Sequence, residues 1–434
     1  MCKHNNNNIF SDGRRGFIKK ATVVSAGLFA GASFAYAGGK DTLRVGLIGC
    51  GSRGTGAARN CINAAENVEL YAMGDLFADQ LDSSRNILRQ VLGERCNVPD
   101  NRSFSGLDAY KDVIQCDVDL VLLATPPAFR PSHFEEAVRH NRHVFMEKPV
   151  AIDPVGVRSI LKTGIRAEEK GLSVMSGLQY RKQGNYIEAI RKIHNGYIGR
   201  LLAAHAQYHT GTVWYHERTP DMTEKEWQLR NWYYYNWLSG DFIVEQFVHN
   251  LDAIAWVTGS MPLACTGTGG RQVRIAPEFG NIYDHFSVQY EFPDGLMVST
   301  TCRQMDRTYR NVSDRIVGSN ATVMLSPERS VVTWPYGKEH QIPRPEGDSA
   351  YVIQKKILID SIRNDKPVNE AKIVAESTLM AVMGRESAYT GQQITWEQIR
   401  DSGLELFPQK LDLDNPIHDP IAMPGITQLD RRRL

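Results

Sequence analysis

The chain has 434 residues, of which 42% are hydrophobic and 23% charged, with a formal net charge of +1. Such a composition excludes a disordered or fibrous chain, and so even a charge balance excludes a dedicated nucleic-acid binder. At ~150 residues per domain the length suggests two or three domains, and past residue 40 no apolar run reaches the ~18 residues of a spanning helix.

Residues 1–10 are polar and include the run Asn5–Asn8, which cannot bury a core. Arg14-Arg15-Gly16-Phe17-Ile18-Lys19-Lys20 follows, then an Ala- and Gly-rich apolar stretch from Ala21 to Phe34, then Ala35-Tyr36-Ala37. A basic region, a short apolar region and small residues at a cut site, in that order, spell a secretory signal over 1–40. The paired arginines before Phe17 resemble the twin-arginine type. The expectation is a periplasmic protein cleaved near Ala37 and exported folded by the twin-arginine (Tat) machinery. Such cargo carries a cofactor with it. Of seven cysteines, the six beyond the leader form no C-x-x-C pair and read as small buried residues.

Leu43–Ile48 is apolar and β-branched, and reads as a buried parallel strand. It runs into Gly49-Cys50-Gly51-Ser52-Arg53-Gly54, a G-x-G-x-x-G, followed by a helical stretch from about Thr55 to Ala65. A second strand, Val68 to Met73, leads to Asp75. Strand, glycine turn, helix and an acid ~20 residues on form the context that makes the motif a dinucleotide site. Gly49 allows the tight turn, Gly51 lets backbone approach a pyrophosphate, and Gly54 lets helix and strand pack closely. Asp75 would accept a ribose 2′-hydroxyl and repel a 2′-phosphate, favouring NAD over NADP, whereas Arg53 could pair with that phosphate.

The alternation continues with a helix over 76–93, its apolar positions Leu81, Ile87, Leu88, Val91 and Leu92, and a strand over Val118–Ala124. That strand ends in Thr125-Pro126-Pro127, where a nicotinamide-side loop would sit. A helix over Ser132–Arg139 and a strand over His143–Met146 lead to Glu147-Lys148-Pro149. The order implies an α/β fold with a doubly wound parallel sheet of Rossmann type over 41–150. Lys148, at the carboxyl end of a parallel strand, faces the ligand crevice, with Glu147 able to hold its ammonium.

The glycine turn, the Glu-Lys-Pro and two later segments together resemble the Gfo/Idh/MocA family of oxidoreductases. Those segments are Gly177-Leu178-Gln179-Tyr180-Arg181 and Ile193-His194-Asn195-Gly196-Tyr197-Ile198-Gly199. The likeness spans about residues 42–400. It implies that an α/β domain with a largely antiparallel open sheet follows the Rossmann domain over 151–405, with helices from 355–400 packing back and 406–434 as a C-terminal arm. It implies sugars, polyols or their derivatives as substrates, and an oligomer, dimer or tetramer, built on the sheet face. For the cofactor it implies Gly49, Gly51, Ser52, Arg53, Gly54, Asp75, Thr125, Pro126, His133, Glu147, Lys148 and Gln179. For the substrate it implies Tyr180, Arg181, Trp232 and Asp252.

The second domain's own pattern agrees. Leu201–His209 alternates as a strand, and Tyr283–Glu291 turns at Pro293-Asp294-Gly295 into Leu296–Cys302 as a hairpin. Residues 311–335 offer two or three more strands. Helical patterns resume near Val352 and over Ala371–Ala388.

Phe242 to Asp252 reads as one helix, putting Glu245 and His249 on one face. By the resemblance, His249 matches the family's catalytic His, Glu245 stands where Asp is usual, and Phe247 where Gly is usual. Ser239 and Asp241 also stand where glycines are typical. The catalytic group expected is Lys148, His249 and Glu245: His249 as the base for a carbinol proton, Lys148 polarising the same oxygen, Glu245 orienting His249. Glu245/His249 and the strand pair His205/His209 offer no obvious third ligand, so no metal is expected. Trp214, Tyr215, Trp232, Tyr233, Tyr234, Tyr235 and Trp237 crowd one region, as sugar platforms or as core, with His216 and Arg218 nearby.

An exported NAD enzyme favours a trapped cofactor reset within the site. Two chemistries fit: oxidoreduction of sugars, or redox-assisted cleavage of a glycoside by oxidation, elimination, hydration and reduction. A periplasmic binding protein that kept the fold without catalysis is the alternative from another class.

Overall fold

The computed structural model describes residues 42–431 except 409, 414 and 416. The expected export signal over 1–40 lies outside the described residues.

Strands β1 (Leu43–Ile48), β2 (Val68–Asp75), β3 (Ser103–Ser105), β4 (Leu120–Leu123), β5 (His143–Met146) and β6 (Val174–Ser176) alternate with helices. The helices are α1 (Ser52–Ile62), α2 (Ala78–Leu92), α3 (Ala109–Gln115), α4 (Arg130–Arg139) and α5 (Pro154–Glu169). The strands form one parallel sheet in the order β3-β2-β1-β4-β5-β6. β1 and β4 are adjacent, so the order reverses between them and opens a crevice at their carboxyl ends.

The chain then makes α6 (Gly184–His194), β7 (Leu201–Thr210), α7 (Glu224–Arg230), α8 (Asn236–Ser239), α9 (Phe242–Glu245) and α10 (Val248–Thr258). Strands β8 (Ala264–Gly270), β9 (His285–Glu291), β10 (Met297–Gln304), β11 (Asn311–Gly318), β12 (Thr322–Leu325), β13 (Arg329–Thr333) and β14 (Glu339–Pro343) follow. Last come α11 (Ala350–Arg363), α12 (Ala371–Thr390), β15 (Ile394–Thr395) and α13 (Trp396–Asp401). The second sheet runs β14-β13-β12-β11-β7-β10-β9-β8-β15, parallel only between β7 and β10. One face packs on α10 and α12, and the other carries polar residues such as Ser299, Thr301 and Arg303.

The first sheet runs on past residue 150 through α5 and β6, so its boundary lies beyond the one expected. A strand of three buried residues, Val174-Met175-Ser176, is too short for its pattern to show. Helix α11 does pack back, with Leu358, Ile359 and Ile362 joining Leu43, Val45 and Leu47 in one apolar cluster. In α2, Leu81, Leu88 and Leu92 are buried, but Ile87 and Val91 are exposed. The first three share a face at i, i+7 and i+11, and the other two sit roughly 100° around the helix. The C-terminal arm wraps rather than floats: Gln228 donates to the Ile417 carbonyl at 3.0 Å, Tyr283 to Ala422 at 2.8 Å, and Arg431 pairs with buried Glu386.

The glycine turn has the division of labour its sequence implies. Gly49 has φ +93°, and a Cβ on Gly54 would lie 1.8 Å from the Gly49 carbonyl oxygen, whereas one on Gly51 would meet nothing within 4 Å. Gly54→Ala therefore forces backbone apart and is expected to cost about 2–3 kcal/mol. Gly51→Ala is expected to stay within about 0.5 kcal/mol of wild type. Denaturant unfolding of the two variants checks this.

Candidate active site

One cavity of about 690 Å³ runs from the glycine turn, past the ends of β4 and β5, to the second domain. Gly49, Gly51, Ser52, Arg53, Gly54, Asp75, Thr125, Pro126, His133, Glu147, Lys148, Gln179 and Tyr180 all line it. Helix α1 starts at Ser52 rather than Thr55, so its first amides, which have no intrahelical acceptor, stand beside the open space in front of Gly51. This is a cradle a side chain would fill, and it suits a pyrophosphate. Asp75 closes the turn, accepting the amides of Cys50 at 2.6 Å and Phe77 at 2.9 Å. Burial raises its pKa above the usual carboxylate range, and those two amides counter part of the shift. His133 is held neutral, its pKa lowered to about 3 by burial and by Arg130, and it stacks on Tyr110 at 4.1 Å.

Lys148 reaches the cavity with its side chain only 11% exposed. It donates to the Glu245 main-chain carbonyl and to Glu245 Oε1, the latter at 3.1 Å. Neither partner belongs to Glu147, so the residue that anchors Lys148 comes from the second domain. Burial raises the Glu245 pKa, and Lys148 offsets part of that. His249 is neutral, its pKa driven well down by burial and then by Lys148 and Arg53. The ring lies tilted at 41° against Tyr180 with centroids 5.2 Å apart, and its Nε2 lies 3.4 Å from Gln179 Nε2.

The expected single helix over 242–252 is broken. Helix α9 ends at Glu245 and α10 begins at Val248, so Glu245 and His249 do not share a continuous face. Glu245 consequently bonds Lys148 and does not orient His249. Arg181 and Asp252, expected to bind substrate, do not line the cavity; Arg181 forks onto buried Asp252, Nε–Oδ2 2.9 Å and Nη2–Oδ1 2.9 Å, and Ser377 completes the group at 2.7 Å. Asp252 lies on α10 one turn below His249, so its side chain goes into the packing against α12.

The aromatic crowd divides. Trp214, Trp232 and Tyr233 line the cavity together with His216, whereas Tyr234, Tyr235 and Trp237 are buried core. Tyr215 is exposed, and Arg218 pairs with Glu224. Several lining residues had no signal in the sequence. Arg130 donates to the Thr125 and Pro149 carbonyls and so ties the two strand-end loops together. Tyr208, at an inward position of β7, donates to Gln246 at 3.2 Å. Tyr351, from α11, lies under the Arg53 guanidinium at 4.9 Å.

The turn into α9 aims Glu245. Asp241 has φ 71° and ψ 158°, a region that favours glycine, which accounts for the glycine usual there. Its carboxylate accepts from Phe242 N, Tyr283 N at 2.8 Å and Tyr389 Oη. Asp241→Ala loses those bonds and keeps the strain, an expected cost of about 3 kcal/mol, and Asp241→Gly is expected to cost less. Burial raises the Asp241 pKa from 3.8 to about 6. A carboxyl whose folded pKa exceeds its unfolded value weakens folding as pH rises between the two. Wild type is therefore expected to lose about 2–3 kcal/mol relative to Asp241→Asn between pH 4 and pH 6.5. Denaturant titrations at both pH values test the sign and size.

Comparisons with known proteins fall on this frame. Residues 43–178 match the oxidoreductase family with an NAD-binding Rossmann fold, and residues 186–324 match the GFO/IDH/MocA C-terminal domain. The chain is 26% identical over 258 residues to 2,7-anhydro-N-acetylneuraminate hydratase of Escherichia coli, covering 59% of this chain and 60% of that protein. It is 27% identical over 170 residues to a Glycosyl hydrolase family 109 protein of Shewanella pealeana, covering 39% of this chain and 35% of that protein. It thus spans less than two thirds of either relative. The aldose-aldose oxidoreductase of Caulobacter crescentus shares the fold, with a TM-score of 0.64 at 19% identity over 82% of this chain and 99% of that one. Two successive domain matches over more than half the chain, on a sheet order and glycine turn of the same kind, place this protein in the Gfo/Idh/MocA oxidoreductase family.

Proposed function

We propose that the chain is an exported, periplasmic oxidoreductase that acts on a sugar, polyol or glycoside with tightly held, internally recycled NAD. The observation that carries this reading is Lys148, a partly buried ammonium paired with Glu245, beside a neutral His249 in the cavity that the glycine turn opens. The start of α1 would hold the pyrophosphate and Asp75 the adenosine ribose, which favours NAD over NADP. Thr125, Pro126, Glu147 and Gln179 would hold the nicotinamide end. The bound nicotinamide supplies a reversible hydride acceptor.

The chain's own groups handle the proton and the oxygen. Lys148 stabilises negative charge as it develops on the reacting oxygen. Neutral His249 accepts the hydroxyl proton on its ring and returns it when the oxygen is reprotonated. Glu245 fixes the ammonium in place. Trp214 and Trp232 offer apolar faces to a sugar ring.

A second reading is supported by the hydratase and glycosyl hydrolase names among the relatives. In it the ring is oxidised at C3, a proton leaves C2 as the glycosidic C1–O bond breaks, water adds across the double bond, and the ring is reduced. Net redox change is zero, which suits a compartment poor in free nucleotide. Export rests on Arg14-Arg15 and the Ala35-Tyr36-Ala37 cut site. The open polar sheet face suits a dimer or tetramer of this chain.

Lys148→Ala tests the catalytic reading in a screen of aldoses, polyols and glycosides. Turnover is expected to fall about 10³-fold while bound nucleotide is retained. Unchanged turnover, or a wild type that binds sugars without converting any, would favour a binding protein instead.

A further inference from the structure

On the reading of the cavity as a dinucleotide site, we propose that Arg230 is a nucleotide-retaining residue. It bolts the second domain across the adenosine end of the cavity and slows escape of the bound dinucleotide.

β2 ends at Asp75, and the residues that follow, Leu76, Phe77 and Gln80, line the cavity beyond the ribose-binding acid. The adenosine half of a dinucleotide lies on that side of the crevice. Facing them across the same cavity are Leu229, Arg230 and Trp232, from the segment that leaves the second sheet after β7. Arg230 closes the gap. Its guanidinium forks onto Asp79 of α2, with Nη1–Oδ2 3.0 Å and Nη2–Oδ1 3.1 Å. Its Cζ lies 4.0 Å from the centre of the Phe77 ring, and its Nε donates to Glu226 at 2.9 Å. A planar guanidinium suits such a site because it can fork to a carboxylate and stack on an aromatic face at once.

Helix α7, which carries Arg230, is braced from behind. Gln228 accepts from Trp237 Nε1 at 3.2 Å and donates to Ile417 of the C-terminal arm at 3.0 Å. The gap therefore opens by releasing the bolt rather than by bending the helix. Arg53 lies over Tyr351 at 4.9 Å and closes the rim beside the glycine turn in a similar way. The Asp79 carboxylate is 62% exposed, so salt screens the bolt.

The test uses the full chain loaded with NADH and freed of excess. Release is followed by NADH fluorescence after mixing with excess NAD. Wild type is expected to release slowly, and faster in 1 M NaCl. Arg230→Ala is expected to release about tenfold faster and to lose the salt effect. Asp79→Asn changes an exposed side chain, reports on the same bolt if Arg230→Ala fails to fold, and is expected to shift release in the same direction. Arg230→Lys, which keeps the charge and loses the stacked fork, is expected to fall between. Release unchanged in both Arg230→Ala and Asp79→Asn, with NADH bound, overturns the proposal. A wild type that binds no NADH overturns the dinucleotide reading itself, which is a different result.

Discussion

An ammonium drawn mostly out of water needs a partner, and Lys148, its side chain 11% exposed, finds one in the other half of the molecule. The first sheet delivers the lysine at the end of β5, and the second domain delivers the Glu245 carboxylate and carbonyl that receive it. Removing either partner would leave a charge in a place that water hardly reaches. The two halves must therefore meet at this point, and the cavity between glycine turn and aromatic wall exists because they do. The proximity of the ammonium, after burial itself, also helps keep His249 neutral.

Glu245 in place of the family's usual Asp has a geometric counterpart. Its backbone belongs to a four-residue helix that stops before α10 begins, and its carbonyl is turned to the lysine along with its side chain. The strained residue Asp241 starts that helix, with three hydrogen bonds holding a backbone angle that favours glycine. Positions that depart from the family pattern are thus joined in one local arrangement. They set where the ammonium sits, and Glu245 itself lines the cavity.

Much of this was legible in the chain. The glycine turn announced itself because each of its glycines answers a separate steric demand, and β1, β4 and β5 because strands buried on both faces are uniformly apolar. Lys148 followed from its place at the end of β5, whereas His249 and the wider set of cofactor residues came from the family resemblance. Other parts were not legible. A helix break between Glu245 and Val248 leaves no proline or glycine to mark it. The Arg181–Asp252 fork looks in sequence like two site residues, because burial and partner choice are properties of the packed molecule. Arg130, Tyr208, Arg230 and Tyr351 reach the cavity from four separate elements, and no spacing connects them. The first sheet's true extent was hidden by a strand of three residues.

The proposed oxidoreductase site is expected to hold its dinucleotide through purification. The most direct measurement is to purify the chain without added nucleotide, denature it, and identify what is released by absorbance and mass. Stoichiometric NAD or NADH is the predicted result. NADP would contradict the role given to Asp75, and an empty protein that neither carries nor takes up a dinucleotide would contradict the account as a whole.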